Sequence, residues 1–252
     1  MKFSVCTDAL FPRLAAHEAV WKVKEAGGNA IEFWGWEQKN LPQLRHALEE
    51  SGVTLAAMCT KFTSLVDESQ HSAYIKGLEE SIERALFLGC RKLITQVGND
   101  TGGPREQQHN ALLRGLAQCV PILEKSGVTL LVEPLNTKID HKGYYLSSSQ
   151  EGFALIRQTA SPHVKLLYDI YHQQIMEGDI LRTITAHLDL IGHLHAAGHP
   201  GRHELEWGEL NYPYLIRQLD KAGYSGFLGL EYMPLKDPAE GIKTIIQQGE
   251  NK

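Results

Sequence analysis

The strongest constraint on the fold is a repeated alternation along the chain. Eight short apolar or β-branched runs alternate with longer amphipathic stretches such as Leu78–Leu88, Ala111–Lys125 and Tyr214–Ala222. This alternation is typical of βαβ units with right-handed crossovers, which build a parallel sheet. The predicted strands are Phe3–Cys6, Ala30–Phe33, Thr54–Met58, Lys92–Gln96, Thr129–Glu133, Val164–Asp169, Leu190–His195 and Phe227–Glu231.

Glycines at the ends of the helical stretches support this organisation. Glycine adopts the left-handed conformation of a helix C-cap without a steric penalty from Cβ. The glycines that stand where a helix should end are Gly27 with Gly28, Gly52, Gly89, Gly127 and Gly223.

Eight such units in 252 residues match the size of a (β/α)8 TIM barrel, so we predict one α/β barrel domain over residues 1–252. The alternative is an open doubly wound sheet. That fold commonly carries a glycine-rich nucleotide-binding motif, and neither GxGxxG after the first strand nor GxxxxGK[ST] occurs here.

Composition narrows the function classes. The chain has 25 lysines and arginines against 30 aspartates and glutamates, a formal net charge of −5, so we expect no nucleic-acid partner. No run of about 18 apolar residues occurs, and we expect no membrane span. The N-terminal segment lacks the apolar centre of a secretory signal. The four cysteines form no CxxC pair, which favours buried free thiols in a cytoplasmic protein.

Four consecutive predicted strands end in a residue that can bind a metal ion. These residues are Glu133, Asp169, His195 and Glu231 on strands five to eight. The carboxyl ends of barrel strands form the catalytic face, and neighbouring strands lie about 4.8 Å apart, so the four side chains can converge on one ion. A buried carboxylate is costly unless it is paired or bound to a cation.

Other interpretations of these residues stay open. A single acid at a strand end is often a helix cap or part of an ordinary ion pair. His193 and His195 share one face of their strand, and we take His195 as the ligand, with His193 supporting it or packed in the core. Three carboxylates and one imidazole suit Mn²⁺, Mg²⁺ or Co²⁺ better than a structural Zn²⁺.

Residues near the predicted strand ends are candidates for binding substrate. Arg202 lies in the loop after strand seven and either binds a substrate oxygen or pairs with a nearby glutamate. His172 follows Asp169 and either donates to a substrate oxygen or occupies an ordinary helix position. Trp34 and Lys61 follow strands two and three and either line the pocket or lie outside it. Glu32, inside strand two, supports the site or points to a helix.

These residues carry a family resemblance over the second half of the chain. The sequence resembles the hydroxypyruvate isomerase family within the xylose-isomerase-like TIM barrels, the sugar isomerase and epimerase superfamily. The first half of the chain matches only in general layout. The motifs that carry the resemblance are Glu133-Pro-Leu-Asn136, Asp169-Ile-Tyr-His172-Gln173, Gly192-His-Leu-His195, Pro200-Gly-Arg-His-Glu204, Gly208-Glu-Leu-Asn-Tyr212 and Gly229-Leu-Glu-Tyr-Met-Pro234.

The resemblance implies one divalent metal ion and a small-molecule keto acid or sugar as substrate. It implies that Glu133, Asp169, His195 and Glu231 hold the metal. It further implies that Glu133 and Glu231 act as the acid and base of an isomerisation through a cis-enediolate. His172 and Arg202 would contact the substrate. A homo-oligomer is left open.

One departure from the family pattern widens the choice of reaction. Hydroxypyruvate isomerases typically have His-Ile-Gln on strand seven, whereas this chain has His193-Leu-His195, which is more similar to ketose 3-epimerases. The alternatives are therefore a ketose 3-epimerase and, less favoured, a metal-dependent hydrolase similar to AP endonucleases. Mn²⁺ and Mg²⁺ are the expected ions, with Co²⁺ and Zn²⁺ as further candidates.

Overall fold

The eight predicted strands are present and close into a barrel in which every strand is parallel to both neighbours. The computed structural model describes residues 1–250; the prediction of one domain over 1–252 therefore includes two residues outside the described part. The strands are β1 Lys2–Cys6, β2 Ala30–Phe33, β3 Thr54–Cys59, β4 Lys92–Thr95, β5 Thr129–Val132, β6 Val164–Asp169, β7 Ile191–Ala196 and β8 Phe227–Leu230.

Helices connect the strands in the expected order, and some connections contain more than one. The helices of the described residues are α1 Thr7–Leu10, α2 Ala16–Glu25, α3 Leu41–Ser51, α4 His71–Phe87, α5 Arg105–Ser126, α6 Ser149–Thr159, α7 Ile170–Met176, α8 Ile180–Ala186, α9 Tyr212–Lys221 and α10 Pro238–Glu250, with a 3₁₀ turn at Glu68–Gln70. None of them has the length and apolar content that crossing a bilayer requires.

The predicted glycine caps are confirmed where helices end in the left-handed region. Gly52 caps α3 with φ 69°, and its amide donates to the carbonyl of Leu48. Gly127 caps α5 with φ 66°, and its amide donates to the carbonyl of Leu123. Each cap reverses the chain directly into the next strand, so the turn chemistry read from the sequence sets the spacing of the βα units.

Strand alternation separates two buried apolar layers. Leu130 and Val132 of β5 belong to the large core between the barrel and the helices, whereas Leu131 belongs to a smaller cluster. Side chains two residues apart share a face of a strand, so Leu131 and Glu133 point the same way. Leu167 of the smaller cluster and Asp169 of β6 have the same relation. This alternation directs the acidic strand ends into the barrel.

The register of the strands places the candidate ligands side by side. Asp169 of β6 pairs directly with His195 of β7, and His195 pairs with Gly229 of β8. Glu133 and Glu231 each lie one residue beyond the end of their strands, because β5 and β8 end one residue earlier than predicted. Their amides still donate to the neighbouring strands, from Glu133 to Thr95 O at 3.2 Å and from Glu231 to Ala196 O at 3.1 Å.

A glycine in β8 leaves room for two of the barrel's buried polar side chains. A Cβ on Gly229 would overlap the carboxylate of Glu32 and lie 2.6 Å from Cδ2 of His195. Both neighbours are nearly inaccessible, with exposures of 1% and 2%, so neither can move into solvent to make space. The absence of a side chain at this position therefore permits Glu32 to enter the barrel interior.

We predict that Gly229→Ala lowers the free energy of unfolding by about 1–3 kcal/mol, as expected for overpacking a rigid interior. Urea denaturation followed by circular dichroism measures the change. Gly103→Ala is the matched control, because its nearest neighbour would be Thr101 Oγ1 at an ordinary 3.4 Å. Equal stabilities of the two variants would contradict the packing argument.

Candidate active site

A cavity of about 590 Å³ opens at the carboxyl ends of the strands and contains most of the predicted site. Its walls are contributed by loops that follow the strands, as in other barrels of this class. The predicted residues that line it are Trp34, Glu133, His172, His195, Arg202 and Glu231. Asp169 does not line the cavity but offers a ligand atom close to those of Glu133, His172 and Glu231. Other lining residues include Thr60, Phe62, Gln96, Asn99, Asp140, His141 and Lys142.

The predicted ligand residues converge within one small volume. Glu133, Asp169, Glu231 and His172 each offer a ligand atom, and all these atoms lie within 4.8 Å of one another. His195 faces the same group, with Nδ1 3.5 Å from Glu133 Oε1 and 3.7 Å from Glu231 Oε2. Three carboxylates and two imidazoles therefore surround one point.

The donor set fits a divalent cation. Glu133, Asp169 and Glu231 have exposures of 4%, 2% and 6%, and burying three carboxylates together is costly unless positive charge compensates. Nδ1 of His195 and Nε2 of His172 are buried and have no hydrogen-bond partner among residues 1–250. A divalent cation among the three carboxylates would offset most of their negative charge and take one of these nitrogens as a ligand. Such an oxygen-rich set suits Mn²⁺ or Mg²⁺.

Asp169 performs the helix-cap role and remains available to the site. Its Oδ1 accepts a hydrogen bond from the amide of His172 at 3.0 Å and caps α7. Its Oδ2 lies 3.6 Å from Nε2 of His172, on the side of the other ligand candidates. The cap and ligand interpretations of this acid are therefore compatible, because each uses a different oxygen.

Glu231 is held by two residues from different loops. Nε1 of Trp34 donates to Oε1 of Glu231 at 2.6 Å, and the guanidinium of Arg202 donates to Oε2. Burial opposes the charge on Arg202, but Glu231 and Asp169 outweigh it and raise the pKa of the guanidinium. Arg202 has φ 58°, a conformation that non-glycine residues rarely adopt, and its carbonyl accepts from the amide of Met233 at 2.7 Å.

Lys61 lies away from the cavity. Its ammonium group pairs with Glu80 at 3.2 Å, its amide donates to Ser81, and it is absent from the residues that line the cavity. Trp36 likewise donates to Ser81 outside the cavity, whereas Phe62 stands at the mouth with an exposure of 67%. Position after a strand therefore does not by itself place a side chain in the site.

Glu32 and His193 form a buried layer below the ligand group. Oε2 of Glu32 lies 2.8 Å from Nε2 of His193 and 3.3 Å from Nε2 of His195. Burial raises the pKa of Glu32, but the two histidines outweigh it and leave the carboxyl ionised. Burial lowers the pKa of His195, but Glu32 and Glu231 outweigh it and raise that pKa well above its ordinary value. Glu32 thus contacts the site and does not point to a helix.

Asn136 is a buried site residue that the sequence reasoning did not single out. Its Nδ2 lies 2.6 Å from Nδ1 of His172 and 2.6 Å from Oδ2 of Asp140. Tyr171 also donates to Oδ2 of Asp140, at 3.0 Å. The available signal was the place of Asn136 in the Glu133-Pro-Leu-Asn136 motif, three residues beyond a strand-end acid.

Glu133 has an acid–base property suited to proton transfer. Burial raises its pKa to about 7, although His195 opposes the change. A carboxyl that titrates near neutral pH can both accept and return a proton under ordinary conditions.

We predict that this shift makes the chelator-treated protein less stable as the pH rises. The folded-state pKa of Glu133 is about 7, above its ordinary 4.5, so its contribution is fully present below pH 4.5 and is lost as pH rises through 7. The loss is on the order of 3 kcal/mol. In urea titrations between pH 4.5 and 8, Glu133→Gln loses less stability with rising pH than the wild type and keeps the part due to the raised pKa of His195, whereas the exposed Glu49→Gln follows the wild type. Parallel profiles for wild type and Glu133→Gln would contradict the assignment.

Comparisons with known proteins agree with this geometry. A family model described as the xylose isomerase-like TIM barrel matches residues 20–248. The hydroxypyruvate isomerase of Escherichia coli is 30% identical over 254 residues, which cover 97% of this chain and 98% of that protein. The 2-oxo-tetronate isomerase of Cupriavidus necator is 31% identical over 225 residues, 86% of each protein.

A solved structure extends the comparison to the whole fold. The family 2 AP endonuclease of Brucella melitensis superposes with a TM-score of 0.90 at 27% identity and covers 98% of both chains. Together with the family model and the two isomerases, this likeness spans nearly the full length of the chain. The chain therefore belongs to the hydroxypyruvate isomerase family of xylose isomerase-like TIM barrels, and it is an enzyme of the isomerase class, which includes the epimerases.

Proposed function

We propose that this enzyme is a divalent-metal-dependent isomerase that moves a proton beside the carbonyl group of a short 2-keto acid or sugar. The observation that carries the proposal is the placement of two buried glutamates around one imidazole. Nδ1 of His195 lies 3.5 Å from the carboxylate of Glu133 and 3.7 Å from that of Glu231. Each glutamate can therefore contact a substrate held at the centre of the group.

The chemistry needs a base, an acid and stabilisation of negative charge. A proton beside a carbonyl is only weakly acidic, and removing it places negative charge on the carbonyl oxygen. A divalent cation supplies Lewis-acid polarisation at that oxygen when it is bound. Glu133, Asp169, His195 and Glu231 are the residues that would hold the cation. We propose Mn²⁺ or Mg²⁺ as the bound ion, with Co²⁺ and Zn²⁺ as the alternative ions.

The two glutamates divide the proton transfer between them. One carboxylate removes the proton to give the cis-enediolate, and the other carboxyl delivers a proton to the substrate. Delivery to the neighbouring carbon, together with transfer of the hydroxyl proton to the former carbonyl oxygen, gives isomerisation, with the carbonyl and hydroxyl groups exchanged. The raised pKa of Glu133 supports its use in either direction.

The remaining residues bind and orient the substrate. His172 presents the unpartnered Nε2 to the cavity, and Arg202 presents its guanidinium beside Glu231. Trp34 lies against Glu231 from another side and is 38% exposed, which makes it a wall of the pocket. These contacts support binding of a polar small molecule whose oxygens accept hydrogen bonds.

A ketose 3-epimerase is the second candidate, and two observations favour it. His195 is an imidazole at a position where the resemblance expects glutamine for hydroxypyruvate isomerases. The cavity of about 590 Å³ also falls within the range of roughly 300–1,000 Å³ that accommodates drug-sized ligands, which leaves room for a sugar longer than three carbons. Return of the proton to the opposite face of the same carbon would then give epimerisation.

A nuclease or other hydrolase is less favoured, because the formal net charge of −5 does not suit a phosphate backbone. We propose a cytoplasmic location on the basis of the four cysteines, Cys6, Cys59, Cys90 and Cys119, which are buried free thiols.

The test is deuterium incorporation followed by NMR. Protein stripped of metal and reloaded with Mn²⁺ or Mg²⁺ is incubated in D₂O with hydroxypyruvate, other short 2-keto acids and common ketoses. We expect metal-dependent exchange beside the carbonyl of at least one compound. Identification of the product then distinguishes isomerisation from epimerisation.

Variants connect this exchange to the proposed acid and base. We expect Glu231→Gln to reduce exchange by at least about 100-fold, the usual contribution of general acid–base catalysis. Glu49→Gln, which removes an exposed carboxylate on α3, is the charge-matched control and should exchange like the wild type. Undiminished exchange in Glu231→Gln would exclude its catalytic role, and exchange without metal would exclude metal dependence.

A further inference from the structure

Two buried histidines compete for the same position beside the three carboxylates. His195 directs Nδ1 toward Glu133 and Glu231, and His172 directs Nε2 toward Asp169. An imidazole nitrogen binds a cation only through a lone pair and donates a hydrogen bond only when it carries a proton. The tautomer of each ring therefore decides which histidine is a ligand and which is a donor.

Glu32 determines the tautomer of His195. Its Oε2 lies 3.3 Å from Nε2 of His195 and 2.8 Å from Nε2 of His193, and Ser4 Oγ donates to its Oε1 at 3.3 Å. An ionised carboxylate can only accept hydrogen bonds, so Nε2 of His195 carries the proton. When a cation displaces the second proton of this ring, the lone pair lies on Nδ1, which faces Glu133 and Glu231.

The surroundings of Glu32 allow it no other position. Gly229 provides the space that the carboxylate occupies, and a single Cβ there would overlap it. Glu32, His193 and His195 have exposures of 1%, 0% and 2%, so water does not compete for these hydrogen bonds. A carboxylate that orients a metal-binding histidine through its far nitrogen is a common arrangement in metal sites.

Asn136 determines the tautomer of His172. Oδ1 of Asn136 accepts from the amides of Ile139 and Asp140, each at 3.0 Å, which identifies this atom as the oxygen. Both protons of Nδ2 are therefore directed elsewhere, one to Asp140 Oδ2 and the other to Nδ1 of His172, each at 2.6 Å. Nδ1 of His172 thus accepts, and in the neutral ring Nε2 carries the proton.

The hydrogen bond from Asn136 requires a lone pair on Nδ1 of His172, so this ring is neutral while the contact is made. Its Nε2 is buried and has no hydrogen-bond partner in the described residues. The proton on Nε2 is therefore available to an oxygen that enters the cavity.

We propose that Glu32 and Asn136 are positioning residues that hold both His195 and His172 as the Nε2–H tautomer, with different nitrogens facing the site. His195 is then the metal ligand through its unprotonated Nδ1, and His172 is a hydrogen-bond donor to substrate through its protonated Nε2. The roles of metal and substrate rest on the proposed function. The hydrogen bonds that Glu32 and Asn136 make to the two rings do not, because they are contacts within the protein.

The first experiment reads the tautomers directly. Long-range ¹H–¹⁵N NMR of ¹⁵N-histidine protein loaded with diamagnetic Mg²⁺ distinguishes protonated from unprotonated ring nitrogens. We expect a proton on Nε2 and none on Nδ1 for both rings, with Nδ1 used differently in each. A proton on Nδ1 of His172, or on Nδ1 of His195 in the loaded protein, would overturn the corresponding half of the proposal.

A double variant tests the positioning role of Asn136 without changing the net charge of the site. Asn136→Asp with Asp140→Asn exchanges the amide and the carboxylate, so residue 136 can only accept from His172. We expect the His172 proton to move to Nδ1. The KM of the exchange reaction should then rise or its kcat fall, while Mn²⁺ affinity is not weakened. Asp140→Asn alone is the control and keeps the wild-type tautomer. An unchanged His172 tautomer in the double variant would overturn the role of Asn136.

Mn²⁺ binding tests the positioning role of Glu32. We expect Glu32→Gln to weaken Mn²⁺ affinity by about 10–100-fold, measured by electron paramagnetic resonance, as for other residues that orient a metal-binding histidine. Wild-type affinity in a folded Glu32→Gln variant would overturn this role. The wild-type NMR spectrum keeps the proposal falsifiable if that variant does not fold. Intact Mn²⁺ binding and tautomers without deuterium exchange would overturn the proposed reaction and support the positioning roles.

Discussion

The structure depends on one electrostatic constraint, the burial of four carboxylates inside a parallel barrel, toward the carboxyl ends of its strands. Glu32, Glu133, Asp169 and Glu231 have exposures of 6% or less. Carboxylates in such a place need positive charge or hydrogen-bond donors. Much of the surrounding polar structure supplies one or the other.

The four carboxylates are compensated in two layers. In the lower layer, Glu32 accepts hydrogen bonds from His193 and His195. In the upper layer, Arg202 and Trp34 both contact Glu231, whereas burial leaves Glu133 with a raised pKa. The compensation is thus least complete around Glu133, which is where a divalent cation and a proton-transfer function are both expected.

The fold was largely predictable because its signals are local. Each strand is a short apolar run, and glycine caps such as Gly52 mark the points where the chain reverses. Strand periodicity also placed Asp169 and His195 on the same side of neighbouring strands, which the direct pairing of these residues confirms. The ends of β5 and β8 differed from the prediction by one residue, although the amides of Glu133 and Glu231 still donate to the neighbouring strands.

The site was less predictable where a side chain had a choice of partners. Lys61 follows β3, as a residue that lines the pocket would, but its ammonium group pairs with Glu80 on α4 instead. The position of Glu32 depends on the missing side chain of Gly229, almost 200 residues later in the chain. Asn136 acquires its role from the loop amides that orient its oxygen. Such long-range contacts are not encoded in periodicity or spacing.

The central claim is that one cation, bound through a specific nitrogen of a specific histidine, balances the buried carboxylates. The most direct test is a crystal structure of the Mn²⁺-soaked enzyme with anomalous diffraction data. The account predicts one anomalous peak bound by Glu133, Asp169, Glu231 and Nδ1 of His195, with His172 outside the coordination sphere. A peak bound by His172, or one lying between Glu32, His193 and His195, would contradict it.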